Sequence, residues 1–394
     1  MTRREALARI IEEEMAHREI SGANLLISRW GKILHQESYG MADIENHVPM
    51  REDAIFRMFS MTKVVTGLAA MILYERGIID PNEPVGKYLE TFRDMQVIAE
   101  DGTLTPAERP MILRDLLSMT SGLVYPGELT AAERAADALF KEVFDAQEAG
   151  KPVSTVDFAL RIGELPLLFT PGARWQYGTS ADVCGAVIER ASGMRFGEFL
   201  QKEIFDPLHM EDTGFYVPKE KWARFTQAYR HMDEADGQPA RLEILKGHHL
   251  GMSGYEEPPA FESGGAGLVS TIGDIHRLAT MLLNEGKTPD GGRIISGRTA
   301  KLFRSNALTE EQRRSMNWDT LVGHGYGNYN RVLLDPGHAV MNAPVGEFGW
   351  DGWLGTYLSI DPETGLIFEY FIQRADAGTT IPTRKLKAIA YTFD

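Results

Sequence analysis

The chain opens with apolar residues at helical spacing and then changes to the two-residue alternation that is typical of strands. In MTRREALARIIEEEMAHREI the apolar residues recur between acids, and Thr2 with Glu5 can form a capping box, so a helix is predicted. The next segment, ANLLISRWGKILHQESYG, alternates on both sides of Trp30 and Gly31. This pattern predicts a β-hairpin with its turn at those two residues.

Further along, the pattern is helical in the middle of the chain and β-rich near its end. Residues 60–76 are apolar nearly all round, which is typical of a helix buried between layers. Residues 85–175 hold helical patterns with almost no strand signal. The segment EFGWDGWLGTYLSIDPETGLIFEYFIQ predicts two strands around a turn at 361–365, and a last helix is predicted at about 381–391.

Strands at both ends of the chain, with helices between them, predict an α/β fold whose sheet is assembled from distant segments. We expect an antiparallel sheet flanked by helices in a mixed domain built from residues 1–76 and 177–394. Residues 77–176 are expected to form a mostly helical domain.

Composition narrows the classes of function. The 394 residues carry a formal net charge of −15, a field that repels nucleic acids and anionic membranes, so neither is an expected partner. The single cysteine, Cys184, excludes an internal disulfide framework and a multi-cysteine metal site, and no metal or cofactor is expected. No signal peptide is recognised, and the apolar run 64–74 is too short to span a bilayer, so a cytoplasmic location is expected.

Ser60 and Lys63 lie at the start of the apolar helix that is predicted over residues 60–76. Residues three apart on a helix share a face, so the hydroxyl and the amine would point into the same space. A nearby amine can accept a serine's proton, and free N–H groups at a helix N-terminus favour developing negative charge. The alternative is a capping serine with a snorkelling lysine, since this spacing also arises by chance.

Five segments, in this order, closely resemble the superfamily of serine β-lactamases and penicillin-binding proteins: FSMTKVVTGLAAMILYERGIIDPNEPVGKYLE, RDLLSMTSGL, PGARWQYGTSADVCGAVIERASG, GGAGLVSTIGDIHRLATMLLNEG and GWDGWLGTYLSIDPETG. The closest likeness is to the class C β-lactamase-like esterases, the family VIII carboxylesterases. The resemblance implies the β-lactamase/transpeptidase-like fold, with its active site in the cleft between the mixed domain and the helical domain.

The resemblance also implies catalytic roles. Ser60 would be the acylated nucleophile and Tyr177 its principal general base, while Lys63 would hold Tyr177 anionic or share its proton. The backbone N–H groups of Ser60 and Trp353 would form the oxyanion hole. Without the resemblance, Tyr177 and Trp353 would be interpreted as ordinary buried aromatic residues.

Two departures from the family pattern bear on the substrate. Trp350, Asp351 and Gly352 stand where β-lactamases and transpeptidases have Lys-Thr-Gly, whose lysine helps to hold a substrate carboxylate. Thr179 replaces an asparagine that contacts the amide side chain of β-lactams. These four residues are the candidates for the substrate cleft, and both departures point away from β-lactams. Met119, where relatives often have histidine, is interpreted as structure at a helix end.

The sequence therefore predicts a serine esterase that hydrolyses short- to medium-chain carboxylic esters, its small-molecule partners, through an acyl-enzyme on Ser60. The enzymatic alternatives are a β-lactamase or D-amino-acid peptidase and an acyltransferase, and nothing in the sequence separates hydrolysis from transfer. A non-catalytic scaffold is the alternative from another class, although such members usually lose the serine or the lysine. The oligomeric state stays open.

Overall fold

The computed structural model describes residues 1–235, 237–246, 249–250 and 254–393. Its strands are β1 Gly22–Arg29, β2 Lys32–Asp43, β3 Val48–Pro49, β4 Phe56–Arg57, β5 Gln96–Ile98, β6 Leu104–Pro106, β7 Tyr229–Met232, β8 Arg241–Ile244, β9 Val269–Ser270, β10 His324–Gly327, β11 Asn330–Leu333, β12 Phe348–Gly349, β13 Thr356–Asp361 and β14 Leu366–Phe371. Its helices are α1 Arg3–Ala16, α2 Thr62–Glu75, α3 Leu113–Leu117, α4 Ala131–Glu148, α5 Thr155–Ile162, α6 Ser180–Ser192, α7 Phe196–Leu200, α8 Ile272–Leu283, α9 Gly297–Phe303, α10 Glu310–Arg314, α11 Pro336–Ala339 and α12 Ile381–Ala390.

Within the described residues, the main sheet has eight strands in the order β10-β11-β12-β13-β14-β1-β2-β3. All neighbouring strands are antiparallel, and the sheet joins the two ends of the chain at the β14–β1 pair. The helices α1 and α12 pack on one face and α8 packs on the other. The predicted α/β class with an antiparallel sheet flanked by helices is confirmed.

Both predicted hairpins are present. Arg29 pairs with Lys32, and the two residues between them, Trp30 and Gly31, have φ angles of 48° and 78°. Positive φ at both central residues is the geometry of a type I′ turn, whose twist matches that of the flanking strands. The second hairpin joins β13 to β14, where the Asp361 side chain accepts hydrogen bonds from the backbone of the turn.

The helix α2 is buried along almost its entire length, as the pattern predicted, and packs against α6 and α9. Helices α3, α4 and α5 occupy the segment that was predicted to be helical, but the hairpin β5–β6 within it was not predicted. Its strands have only three residues each, too few to show an alternation. The division into 1–76 with 177–394 and 77–176 stays a prediction. Across the described residues, no helix combines the length and the apolarity needed to cross a membrane.

A buried ion pair connects α12 to the main sheet. Lys387 Nζ lies 3.1 Å from Glu347 Oε1 and donates a hydrogen bond of 3.1 Å to Tyr357 Oη. Burial by itself raises the pKa of Glu347, but Lys387 and Arg331 outweigh it and lower that pKa to about 2. The Glu347 side chain is therefore a paired, buried carboxylate at neutral pH.

Replacing Lys387 with methionine is expected to lower the free energy of unfolding by about 3 to 5 kcal/mol at neutral pH. The reason is that Glu347 would remain as a buried charge without its ammonium partner. Urea denaturation followed by circular dichroism measures the change. The double variant Lys387→Met with Glu347→Gln should lose less stability than the single variant, and equal stability of Lys387→Met and the unmodified protein would contradict this account.

Candidate active site

Ser60 lies in a 3₁₀ turn, Phe59–Met61, immediately before α2, and Lys63 is the second residue of that helix. The residue before the serine, Phe59, has a φ angle of 44°. This left-handed conformation costs a non-glycine residue on the order of 1 kcal/mol and persists only where packing holds it. The buried Phe59 ring packs against Trp353, with 5.2 Å between ring centroids. Tertiary contacts therefore hold the backbone at the serine.

Lys63 connects three groups at the bottom of the site. Its fully buried Nζ donates to Ser60 Oγ at 3.0 Å, to Tyr125 Oη at 3.0 Å and to the Gly265 carbonyl at 2.7 Å. Burial lowers the pKa of Lys63 to about 7, against an opposing attraction from Asp182. A large share of the amine is therefore neutral near pH 7, where it can accept the serine's proton.

Tyr177 completes the group. Its hydroxyl faces the Ser60 side chain and accepts a 3.1 Å hydrogen bond from Trp350 Nε1. Lys63 Nζ lies 4.7 Å from the centroid of the Tyr177 ring. Burial raises the pKa of Tyr177 far above its ordinary value, although the Ser60 and Trp350 side chains act to lower it. The structure thus brings Ser60, Lys63 and Tyr177 together, with the tyrosine as a neutral phenol at pH 7.

The segment that follows α3 contacts the backbone on both sides of Tyr177 and holds it in place. Met119, two residues beyond the helix, has a φ angle of 56°, and its carbonyl accepts a 2.8 Å hydrogen bond from Gln176 N. On the other side, a Cβ atom at Gly178 would lie only 2.2 Å from the Leu123 carbonyl. Met119 has a structural role at a helix end, as predicted, and its carbonyl positions Gln176, the residue before Tyr177.

The segment that follows Trp350 passes directly against the serine turn. A Cβ atom at Gly352 would lie 2.3 Å from the Met58 carbonyl, so only glycine permits this approach. Thr356 Oγ1 donates to the same carbonyl at 3.1 Å. The backbone N–H groups of Ser60 and Trp353 have no hydrogen-bond partner among the described residues. Both are free to donate to a substrate oxygen, as an oxyanion hole requires.

The four cleft candidates differ in their surroundings. Trp350 contacts Tyr177 and Gly352 contacts the serine turn, whereas Asp351 accepts a hydrogen bond from Thr379 Oγ1 and lies 3.9 Å from Arg331 Nη1. The Asp351 charge is therefore offset by an arginine. The side chain of Thr179 is fully buried, and its Oγ1 has no partner within the part of the chain that the structure describes.

Sequence reasoning missed Tyr125 and Asp182. Tyr125 contributes the second hydroxyl beside Lys63, and the buried carboxylate of Asp182 accepts hydrogen bonds from Ser263 Oγ at 2.5 Å and from Gly265 N at 3.0 Å. The one signal in the sequence that pointed to this part of the site was the glycine-rich segment ESGGAGLVST, which contains Ser263 and Gly265, the two partners of Asp182. Asp182 thereby orients the backbone whose carbonyl accepts the hydrogen bond from Lys63 Nζ.

Residues 7–391 match the family model described as Beta-lactamase. The chain belongs to the β-lactamase family. Among its relatives, Protein Rv1367c of Mycobacterium tuberculosis is 33% identical, and the match covers 90% of this chain and 86% of that protein. Esterase EstB of Burkholderia gladioli is 30% identical, over 91% of this chain and 87% of the esterase.

Comparison with solved structures gives the same fold. The structure of EstCE1, described as a hydrolase with promiscuous acyltransferase activity, superimposes with a TM-score of 0.81. The two sequences are 24% identical, and the match covers 99% of this chain and 98% of EstCE1. The β-lactamase/transpeptidase-like fold is thereby confirmed, and the 30% identity with EstB confirms the resemblance to the esterases of this family.

Proposed function

We propose that this protein is a serine esterase that hydrolyses carboxylic esters of short to medium acyl length through an acyl-enzyme on Ser60. The observation that carries the proposal is the 3.0 Å contact between Ser60 Oγ and the buried Lys63 Nζ, whose pKa burial lowers to about 7. The named activity of EstB, an esterase, supports the same chemistry.

In the proposed acylation step, Lys63 accepts the proton of Ser60 Oγ while that oxygen attacks the ester carbonyl carbon. The carbonyl oxygen becomes negative and receives hydrogen bonds from the N–H groups of Ser60 and Trp353. The Tyr177 hydroxyl passes a proton to the departing alcohol oxygen and is reprotonated from Lys63. In deacylation, the same groups activate water, which attacks the acyl carbon and releases the acid.

The order of proton transfer proposed here differs from the order that the resemblance implies. In the order that the resemblance implies, Tyr177 is the principal base, and it must be a phenolate to accept the proton of Ser60. Burial opposes the phenolate by raising the pKa of Tyr177, and it favours the neutral amine by lowering the pKa of Lys63. We therefore assign the first proton acceptance to Lys63 and the transfer to the alcohol oxygen to Tyr177.

Esters are expected to be preferred over β-lactams because the described residues place no cationic side chain at the position of the family lysine, which would hold a substrate carboxylate. Trp350 takes the place of the family lysine, and its indole N–H donates a hydrogen bond to the Tyr177 hydroxyl. The neighbouring arginine, Arg331, is buried and lies beside Asp351. An acyltransferase is the second candidate, because EstCE1 is described as having that activity as well.

The value of kcat/KM for an ester is expected to rise with pH through about 7. Below this pH, Lys63 is protonated and cannot accept the serine's proton, so the rate should fall as the pH decreases. Asp182→Asn should move the midpoint to lower pH, because Asp182 raises the pKa of Lys63. A rate that stays constant between about pH 6 and pH 8 would contradict the role of Lys63 as proton acceptor.

The proposed function is tested with p-nitrophenyl butyrate, a fluorophosphonate and nitrocefin. We expect a burst of p-nitrophenol, covalent labelling at Ser60 located by peptide mass spectrometry, and a higher kcat/KM for the ester than for nitrocefin. A ratio that favours nitrocefin would establish a β-lactamase instead, and neither label nor turnover would favour a scaffold. The cytoplasmic location and the absence of nucleic-acid and membrane partners stay predictions.

A further inference from the structure

Trp318 is a partly exposed aromatic residue that packs against Tyr177. It precedes a 3₁₀ turn, Asp319–Leu321, and its ring centroid lies 4.8 Å from that of Tyr177. The indole is stacked on Trp350 at 25° and meets Trp175 edge-on at 5.4 Å. Despite these contacts, 38% of Trp318 remains exposed to solvent. A large aromatic residue therefore stays partly exposed beside the group that transfers the proton.

The proposed reaction determines which part of a substrate reaches this ring. The ester carbonyl oxygen must face the N–H groups of Ser60 and Trp353, whereas the alcohol oxygen must lie within hydrogen-bond distance of the Tyr177 hydroxyl to receive its proton. Substituents on the alcohol oxygen therefore lie beside Tyr177, within reach of the Trp318 ring that packs against it.

We infer that Trp318 is a specificity-determining residue whose exposed indole surface binds the alcohol part of the substrate and favours flat, apolar alcohols such as benzyl alcohol. This inference rests on the proposed esterase function. Tryptophan offers a large apolar surface at small cost in side-chain entropy, and aromatic rings add a favourable stacking interaction. Small alcohols such as ethanol are too short to cover the indole.

A role of Trp318 in binding the alcohol can be distinguished from a general effect on the site, because the two steps of the reaction should respond differently. Every ester of one acid gives the same acyl-enzyme, so its hydrolysis by water no longer involves the alcohol. Trp318 should therefore affect acylation by aromatic esters and leave deacylation unchanged. In the reverse sense, the phenol proton of Tyr177 passes to Lys63 while the oxygen of an acceptor alcohol attacks the acyl carbon and gives its proton to Tyr177. The bond between the acyl carbon and Ser60 Oγ then breaks, and Lys63 returns a proton to that oxygen. An aromatic acceptor alcohol should bind against Trp318 in the same way as the alcohol part of an aromatic ester.

The test compares benzyl butyrate with ethyl butyrate in Trp318→Ala, Trp318→Phe and the control Trp30→Ala, which removes an exposed indole from the β1–β2 turn. We expect Trp318→Ala to lower kcat/KM for the benzyl ester roughly 10-fold relative to the ethyl ester, an effect of the size that one apolar contact surface gives. Trp318→Phe should restore most of the preference, and Trp30→Ala should not alter it.

Two further measurements complete the test. The rate of deacylation after the p-nitrophenyl butyrate burst should be unchanged in Trp318→Ala, and the partition of the acyl group to benzyl alcohol rather than water should fall. An equal loss for both esters, or slower deacylation, would show that Trp318 only supports Tyr177 and would overturn the inference. An unchanged preference would also overturn it while leaving the esterase function intact, whereas no turnover of either ester by the unmodified protein would overturn both.

Discussion

Replacing Ser60 with alanine is expected to lower kcat for p-nitrophenyl butyrate by roughly 10⁴-fold or more, the size of effect that loss of a nucleophile has in serine hydrolases. Alanine removes the oxygen that forms the acyl bond, while Lys63 and Tyr177 remain in place. The burst of p-nitrophenol and the fluorophosphonate label should disappear together. Steady-state rates and intact-protein mass spectrometry measure the two losses.

Ser305→Ala is the matched control, since its hydroxyl lies at the end of α9 and donates to the Leu302 carbonyl. This variant should keep the activity and the label of the unmodified protein. Thermal denaturation of Ser60→Ala should show that the fold is retained. Turnover and labelling that survive in folded Ser60→Ala would place the nucleophile elsewhere and end the proposed mechanism.

Replacing Tyr177 with phenylalanine is expected to lower kcat by roughly 100-fold or more, the usual range for loss of a proton-transfer group. Phenylalanine keeps the ring that packs against Trp318 and Trp350 but removes the hydroxyl that reaches Ser60. The loss in kcat/KM, which reports acylation, should be smaller for p-nitrophenyl esters than for ethyl esters, because p-nitrophenolate leaves without needing a proton. Steady-state kinetics with both butyrates measure this difference.

Tyr216→Phe is the control for removal of a tyrosine hydroxyl, since Tyr216 is 37% exposed and belongs to the protein surface. It should behave as the unmodified protein. Near-normal turnover of ethyl butyrate by Tyr177→Phe would assign the whole proton transfer to Lys63. An equally large loss in kcat/KM with both leaving groups would instead make Tyr177 the base that activates Ser60.

The elements that the sequence alone predicts correctly depend on interactions between near neighbours. The capping box of α1 needs only Thr2 and Glu5, and both are observed to bond each other's backbone. The type I′ turn needs only Trp30 and Gly31 between two alternating segments. The pairing of Ser60 with Lys63 follows from a spacing of three, although the spacing gave no reason to prefer catalysis over a capping role.

The sequence by itself therefore determined the α/β class, the main hairpins and, through the family resemblance, the positions of Ser60, Lys63 and Tyr177. Only the tertiary structure revealed the contacts of Lys63 with Tyr125 and Gly265, which lie 62 and 202 residues away along the chain. Burial among these distant segments sets the lowered pKa of the lysine. A pKa depends on solvent exclusion and on charges brought close by folding, and no local pattern of residues encodes either.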